Sequence, residues 1–166
     1  MQTTWTLRAP DGIALQMRRW PVAEARGTVL IVHGLGEHKG RYEQVAATLA
    51  AQGWQVVAYD QRGHGRSPGP RGAIPDDEAL LRDLAVVIDA LRAERGGALL
   101  LLGHSMGGLV AARFVAEAMS KRPAKWSRKV DALVLSSPAL DPGMNAFQKF
   151  LLAVLGPLAP GLAVNN

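Results

Sequence analysis

The chain reads LLLLGHSMGG at residues 99–108, an apolar run that ends in a Gly-x-Ser-x-Gly motif and continues into a helical pattern. In this setting the serine lies on a tight strand-to-helix turn, in a strained backbone conformation that exposes its hydroxyl. Side chains at Gly103 or Gly107 would collide where strand and helix pass closely. A serine becomes a useful nucleophile when it is displayed in this way and given a base and oxyanion donors. The motif therefore predicts acyl transfer at Ser105, most simply ester hydrolysis.

Strands and helices alternate on both sides of this motif. The predicted strands are Thr4–Leu7, Ala14–Trp20, Thr28–Val32, Gln55–Tyr59, Ala98–Leu102 and Ala132–Leu135. The predicted helices include segments from about 42 to 52, 106 to 120 and 145 to 155. Another is predicted before Gly96-Gly97, with Asp76 or Asp77 as its cap, from an apolar stripe of period 3.6 at Leu80, Leu84, Val87, Ile88 and Leu91. This alternation predicts right-handed crossovers and a largely parallel sheet.

Three noticeable loops begin at the carboxyl ends of predicted strands, where reactive groups gather in sheets of this kind. They are His33–Gly36, Asp60–Gly65 and Gly103–Ser105. Their shared position makes the Gly-x-Ser-x-Gly motif a much stronger indication of a functional site than it would be alone.

Composition narrows the class of protein. The 166 residues suffice for one domain with a real core, and the hydrophobic content of 48% is typical of a globular protein. The chain has no cysteine, which excludes disulfides and thiolate chemistry. Residues 1–5 lack the pattern of a signal peptide, so a cytoplasmic location is expected. The uncharged stretch 151–164 is too short for a membrane span and is broken by Pro157 and Pro160.

The net charge of +5 is modest, and its densest contribution is the basic run 121–129, which surrounds Trp126. A solvated loop between helix and strand is the favoured interpretation of this run. Weak attraction to an anionic lipid surface is the more plausible functional alternative, with transient peripheral membrane contact. No nucleic-acid partner is expected.

The three loops together resemble those of the α/β-hydrolase fold. More narrowly, HGLGEHKGRY at 33–42, YDQRGHGRS at 59–67 and GHSMGG at 103–108 resemble the monoacylglycerol lipases and lysophospholipases. The ordered match spans roughly residues 27–140. The resemblance implies a mostly parallel sheet with helices on both faces, here incomplete at the C-terminus because the last strands are missing. It also implies a core at 1–140 and the start of a cap, or lid, at 141–166.

Roles for single residues follow from the resemblance. Ser105 would be the nucleophile, and the backbone N–H groups of Leu35 and Met106 would form the oxyanion hole. Glu37 and Arg41 match positions that line the polar end of the pocket, where a glycerol group lies. No metal or organic cofactor is expected.

One departure from the family pattern is plain, because its triad acid and histidine follow the serine and no histidine follows Ser105 here. We expect this chain to be the N-terminal part of a larger hydrolase that is nearly inactive alone. A second polypeptide, the C-terminal remainder, would complete the triad and pair with Ala132–Leu135, which is apolar on both faces yet would otherwise be a bare edge. Asp141 follows that strand and is a candidate triad acid, but it has no histidine to orient.

Alternatives remain open at the level of the sequence. Each of the four upstream histidines, at positions 33, 38, 64 and 104, is expected to support structure and not to act as the base. The expected substrates are acylglycerols or lysophospholipids. An acyltransferase, a thioesterase or a carbon–carbon bond hydrolase would use the same nucleophile, and an inactive interaction module is the non-enzymatic alternative.

Overall fold

The computed structural model describes residues 2–141 of the chain. Its strands are β1 Thr3–Arg8, β2 Ala14–Trp20, β3 Gly27–Val32, β4 Gln55–Asp60, β5 Ala98–His104 and β6 Ala132–Ser136. Its helices are α1 Glu43–Ala51, α2 Ala79–Glu94 and α3 Met106–Ala118, and a short 3₁₀ helix spans Lys39–Tyr42. The helix predicted around 145–155 and the uncharged stretch 151–164 lie outside the described residues.

The six strands form one sheet in the order β1-β2-β4-β3-β5-β6. β1 and β2 are antiparallel to their neighbours, and β3 to β6 are parallel to one another. β3 and β4 are buried along their whole length. For β3 this agrees with its continuous apolar sequence, which is typical of a central parallel strand. The prediction of a mostly parallel sheet is confirmed.

Alternating side chains of the central strands build a core on each face of the sheet. On one face Leu30 and Val32 of β3 pack with α2, α3 and Trp126. On the other face Val29 and Ile31 pack with Tyr42 of the 3₁₀ helix and Ala46 of α1. Helices therefore cover both faces of the sheet. Successive residues of β3 point into the two cores in turn, which fixes the face that each side chain occupies.

The start of α2 differs from its prediction. Neither Asp76 nor Asp77 is the N-cap residue; the cap position is Glu78, which makes no side-chain capping bond. The Asp76 carboxylate instead accepts a hydrogen bond of 2.9 Å from the Glu78 N–H, and the Asp76 carbonyl accepts one from the Ala79 N–H. Asp76 thus closes a turn just before the helix, and α2 begins later than a capping role for that residue requires.

The basic run 121–129 follows α3. Trp126 is buried and its ring packs against Phe114 at a centroid distance of 5.5 Å. Arg128 forms a two-pronged ion pair with Asp89 of α2. Because its aromatic residue is buried, the run has no exposed ring on which a nucleic-acid base could stack.

β6 lies at the edge of the sheet in the part of the chain that the structure describes, where it pairs with β5. Val134 and Leu135 are 46% and 38% exposed. The prediction of an apolar strand at a sheet edge agrees with this arrangement.

Candidate active site

Ser105 stands between β5 and α3 in a backbone conformation that side chains rarely adopt, with φ 50° and ψ −119°. Such a conformation costs on the order of 1–3 kcal/mol and persists only where surrounding contacts enforce it. Here the Ser105 N–H donates to the Ser136 carbonyl at 3.1 Å, and the Ser105 carbonyl accepts from the Ala139 N–H at 3.0 Å. The segment that follows β6 therefore supports the turn from behind.

Two glycines permit the close approach of strand and helix at this turn. A Cβ at Gly107 would lie 2.1 Å from the Val32 carbonyl oxygen, and one at Gly103 would lie 2.5 Å from the Gly107 carbonyl oxygen. Both distances are far below a van der Waals contact, which confirms the steric prediction made from the motif.

The turn Gly34–Glu37 follows β3 and lies directly beside Ser105. We call it the oxyanion loop, after the role predicted for Leu35. The position that a Cβ would take at Gly34 is 3.2 Å from the Ser105 Cβ. The Glu37 N–H donates to the Gly34 carbonyl at 3.3 Å, and Gly36 has a positive φ of 71°.

Leu35 and Met106, the two predicted oxyanion donors, directly follow Gly34 and Ser105 in the chain. As the first residue of α3, Met106 has no intrahelical acceptor for its N–H. Within residues 2–141 the hydrogen bonds of the oxyanion loop also leave the Leu35 N–H without an acceptor. Neither N–H is therefore committed to an acceptor in its own loop or helix.

His33 connects the oxyanion loop to the loop after β4. Its ring is buried, with Nδ1 2.8 Å from the Gly34 carbonyl, and Nε2 accepts a hydrogen bond of 3.0 Å from the Gln61 N–H. Both contacts are satisfied together only by the neutral ring that carries its proton on Nδ1. Burial, with a smaller contribution from nearby His64, lowers the pKa of His33 to about 4.

Asp60 holds the loop after β4 through one buried carboxylate. It accepts hydrogen bonds from the backbone N–H groups of Lys39 and Arg66, each at 2.8 Å, and pairs with the Lys39 Nζ at 2.5 Å. Burial alone would raise the pKa of Asp60, but these bonds outweigh it and lower the pKa. A Cβ at Gly65 would fall within 2.6 Å of this carboxylate, so only glycine fits there.

Glu37, the last residue of the oxyanion loop, forms an ion pair of 3.4 Å with Arg41; both residues are predicted to line a polar pocket. The Arg41 side chain is 62% exposed, whereas that of Glu37 is 14% exposed. Burial acts to raise the pKa of Glu37, and hydrogen bonds from the Gly34 N–H and the Tyr42 hydroxyl, together with Arg41, lower it overall. Glu37 is therefore an ionised group held beside Ser105.

All four histidines of the chain lie within the described residues, and each has a partner other than the Ser105 hydroxyl. His33 is engaged as described above, and His38 accepts from the Gly40 N–H. His64 contacts the Arg62 carbonyl, and His104 lies 3.1 Å from the Ser136 hydroxyl. Asp141, the candidate acid, is exposed beyond β6.

Residues 23–166 match the family described as Serine aminopeptidase, S33. The chain belongs to this family. It is similar to the monoacylglycerol lipase of Mycolicibacterium smegmatis, with 36% identity over 160 residues that cover 93% of this chain and 54% of the relative. The human monoglyceride lipase is 34% identical over 158 residues, which cover 93% of this chain and 50% of that protein. The chain spans about half the length of the curated relatives it matches.

A solved structure shows the same likeness. The monoacylglycerol lipase of Paleococcus ferrophilus is 38% identical, with a TM-score of 0.67 over 92% of this chain and 55% of that one. These comparisons confirm the resemblance stated from the sequence, including the α/β-hydrolase fold. This member of the serine aminopeptidase family has its three loops at the carboxyl ends of β3, β4 and β5.

Other features of this family member lie apart from Ser105. A groove of about 640 Å³ lies between the turn after β1, helix α2 and residues 124–128, and none of the predicted site residues lines it.

Among residues 2–141 no group of three or more His, Cys, Asp or Glu side chains is placed to hold a metal ion. Over the same range no helix is long and apolar enough to cross a bilayer.

Sequence reasoning missed two supports of this site. The segment Ser136–Ala139 packs against the turn, and a Cβ at Gly108 would lie 2.8 Å from the Pro138 side chain. The second glycine of the pair Gly107-Gly108 was the available signal for that contact. The buried pair of Lys39 and Asp60 had no local signal, because its members are 21 positions apart.

Proposed function

We propose that the complete protein is a serine hydrolase that cleaves carboxylic esters of acylglycerols or lysophospholipids through an acyl-enzyme. The observation that carries this proposal is the strained Ser105 packed against Gly34. The residues that follow these two, Met106 and Leu35, each have a backbone N–H without an acceptor in its own helix or loop. The named relatives are lipases of monoacylglycerols, which supports the substrate class.

The chemistry follows from this arrangement. The Ser105 hydroxyl oxygen attacks the ester carbonyl while its proton passes to a histidine supplied by the remainder of the protein. The carbonyl oxygen gains the negative charge and accepts hydrogen bonds from the Leu35 and Met106 N–H groups. Collapse of this intermediate breaks the bond to the alcohol, which leaves with the proton from the histidine. Water then attacks the acyl-enzyme by the same route and releases the fatty acid.

The remaining roles are part of the same proposal. Glu37 and Arg41 would contact the polar head group, and residues 141–166 would begin a cap over the acyl chain. A second polypeptide would pair with the edge of β6 and supply the triad acid and histidine. The protein would be cytoplasmic, with transient contact at a membrane surface.

The basic run 121–129 is not the surface that we expect to deliver a lipid substrate. It follows the C-terminal end of α3, whereas Ser105 precedes the N-terminal end. Thirteen helical residues at about 1.5 Å each separate the two by roughly 20 Å. Membrane contact that delivers substrate should therefore involve the end of the molecule that carries the three loops.

The test is the Ser105→Ala variant of the complete protein. It should lose acyl-enzyme formation, labelling by a serine-directed phosphonate, and about 10⁴-fold or more of its turnover. Full activity in this variant would refute the proposal. The 166-residue chain should label only when the C-terminal remainder is added as a second polypeptide; labelling and full turnover by the lone chain would mean that an upstream histidine is the base.

A substrate panel tests the reaction class. It should contain a monoacylglycerol, a lysophospholipid, an acyl thioester and an amino-acid anilide, because the family description names an aminopeptidase whereas the relatives cited above are lipases. We expect the glycerol and glycerophospho esters to give the highest kcat/KM. A preference for the thioester or the anilide would replace the ester proposal with thioesterase or peptidase activity.

A further inference from the structure

We infer that Glu37 is a positioning residue, whose carboxylate sets the conformation of the oxyanion loop so that the Leu35 N–H can donate a hydrogen bond to the oxyanion. This inference rests on the proposed function for its consequence in catalysis. It differs from the head-group role stated above, because it concerns the shape of the loop and not contact with substrate.

The first observation is that one oxygen of Glu37 binds two donors of the site. Oε2 accepts hydrogen bonds from the Gly34 N–H at 2.9 Å and from the Tyr42 hydroxyl at 2.7 Å. The Tyr42 side chain is buried in the core beneath the loop. Glu37 therefore fastens the start of the oxyanion loop to a fixed point of the core.

The second observation is that both polar groups of Gly34 are already engaged. Its N–H donates to Glu37, and its carbonyl accepts from the Glu37 N–H and lies 2.8 Å from Nδ1 of His33. The peptide on each side of Gly34 is thus held in one orientation. Leu35 is the next residue, so the direction of its N–H follows from these bonds.

The third observation concerns charge. Oε2 of Glu37 and Cβ of Ser105 both lie 3.2 Å from one point, the position that a Cβ would take at Gly34. An unbound carboxylate this close to a developing oxyanion would oppose it. Two donors occupy Oε2, and Arg41 faces Oε1 at 3.4 Å. The contacts that hold the loop also turn the charge of Glu37 toward its own cationic and hydroxyl partners.

The conservative variant is informative because both bonds converge on one atom. In Glu37→Gln the amide oxygen can take the place of Oε2 and accept from both Gly34 and Tyr42, while the charge is lost. In Glu37→Ala both bonds are lost. A positioning role therefore predicts a large effect of alanine and rescue by glutamine. Glu24→Ala is the matched control, because Glu24 is an exposed glutamate outside the site.

The first experiment measures kcat and KM of the complete protein on a monoacylglycerol and on a p-nitrophenyl ester of the same acyl chain, which has no glycerol. Loss of one oxyanion donor costs about 10²–10³-fold in kcat, and we expect Glu37→Ala to lower kcat by roughly 10–100-fold on both esters. Glu37→Gln should recover most of it, and Glu24→Ala should match the wild type. A rise in KM confined to the glycerol ester would overturn the positioning role in favour of head-group contact.

The second experiment needs no catalysis. Hydrogen exchange of the 166-residue chain, resolved at Gly34, should show the amide protected in the wild type and in Glu37→Gln, and about tenfold less protected in Glu37→Ala. Unchanged protection in Glu37→Ala would overturn the inference. A wild-type protein that hydrolyses no ester but shows the expected exchange would refute the proposed function and leave the control of the loop by Glu37 in place.

Discussion

The buried imidazole of His33 makes the stability of this fold depend on pH. Its side chain is 1% exposed, and burial is the main reason that its pKa falls from 6.5 to about 4. Charged and titratable neighbours act in both directions: His64 lowers the pKa, whereas Asp60 and Glu37 raise it. Protonation of Nε2 would also break the hydrogen bond that it accepts from the Gln61 N–H.

The direction of the effect follows from proton binding. Above pH 6.5 His33 is neutral in both the folded and the unfolded chain and contributes no pH dependence. Between pH 6.5 and about 4 only the unfolded chain binds the proton, so the free energy of unfolding decreases as the pH falls. At about 1.4 kcal/mol for each pH unit, the full loss is about 3 kcal/mol, of which about 2.5 kcal/mol is reached by pH 4.5.

The assay is urea unfolding at pH 7.5 and at pH 4.5. The wild type should lose about 2.5 kcal/mol more of its free energy of unfolding than His33→Asn, which cannot titrate, and the midpoints should diverge by about 1–2 M urea. His38→Asn is the matched control because His38 is exposed, and it should follow the wild type. Parallel pH profiles for the wild type and His33→Asn would refute the reasoning.

Two further predictions concern stability. Gly107→Ala should lower the free energy of unfolding in urea by about 3 kcal/mol or more, because the new Cβ would meet the Val32 carbonyl oxygen of β3 at 2.1 Å. Gly96→Ala is the control; Gly96 has open space around it, so this change should alter the free energy of unfolding by less than about 1 kcal/mol. Asp83→Ala should cost about 3 kcal/mol in the same assay, because it removes both 2.6 Å bonds from the buried guanidinium of Arg62 and leaves it with the half-exposed Asp11 at 2.9 Å. Asp89→Ala removes an equally two-pronged but half-exposed pair with Arg128 and should cost at most about 1 kcal/mol. Equal losses for the two aspartates would contradict the role given to burial.

The sequence was sufficient wherever one local pattern determined the structure. Central strands such as β3 and β5 were predicted to within two residues at each end, because a continuous apolar run bounded by loops has few other solutions. The turn at Ser105 was predictable for a similar reason, since Gly103 and Gly107 clear a contact that any side chain would block. In both cases the cause lies within a few residues of its effect.

The buried ion pairs could not be predicted from the sequence, because each joins segments that only the folded sheet brings together. The carboxylate of Asp60 and the amino group of Lys39 meet because the loops after β3 and β4 lie side by side. Arg62 reaches Asp83 across 21 positions for the same kind of reason, and neither pairing has a spacing that marks it in advance. The predicted cap of α2 was wrong for a more local reason. The Asp76 carboxylate accepts from the Glu78 N–H in the turn before the helix, and the helix begins at Ala79.

Backbone geometry around Ser105 and proton transfer by a histidine are separate requirements of the proposed site, and this chain bears on the first of them. Ser105 is kept in a costly conformation by backbone bonds to Ser136 and Ala139, which lie more than 30 positions away in the chain, and by contact with Gly34 on the opposite side. Strain of this kind persists only when independent segments enforce it together. The groups that would stabilise an oxyanion are therefore properties of the fold itself. In the proposed mechanism proton transfer is a separate requirement, because each of the four histidines has a partner other than the Ser105 hydroxyl. The proposal therefore makes a correctly folded turn at Ser105 necessary for turnover without being sufficient for it.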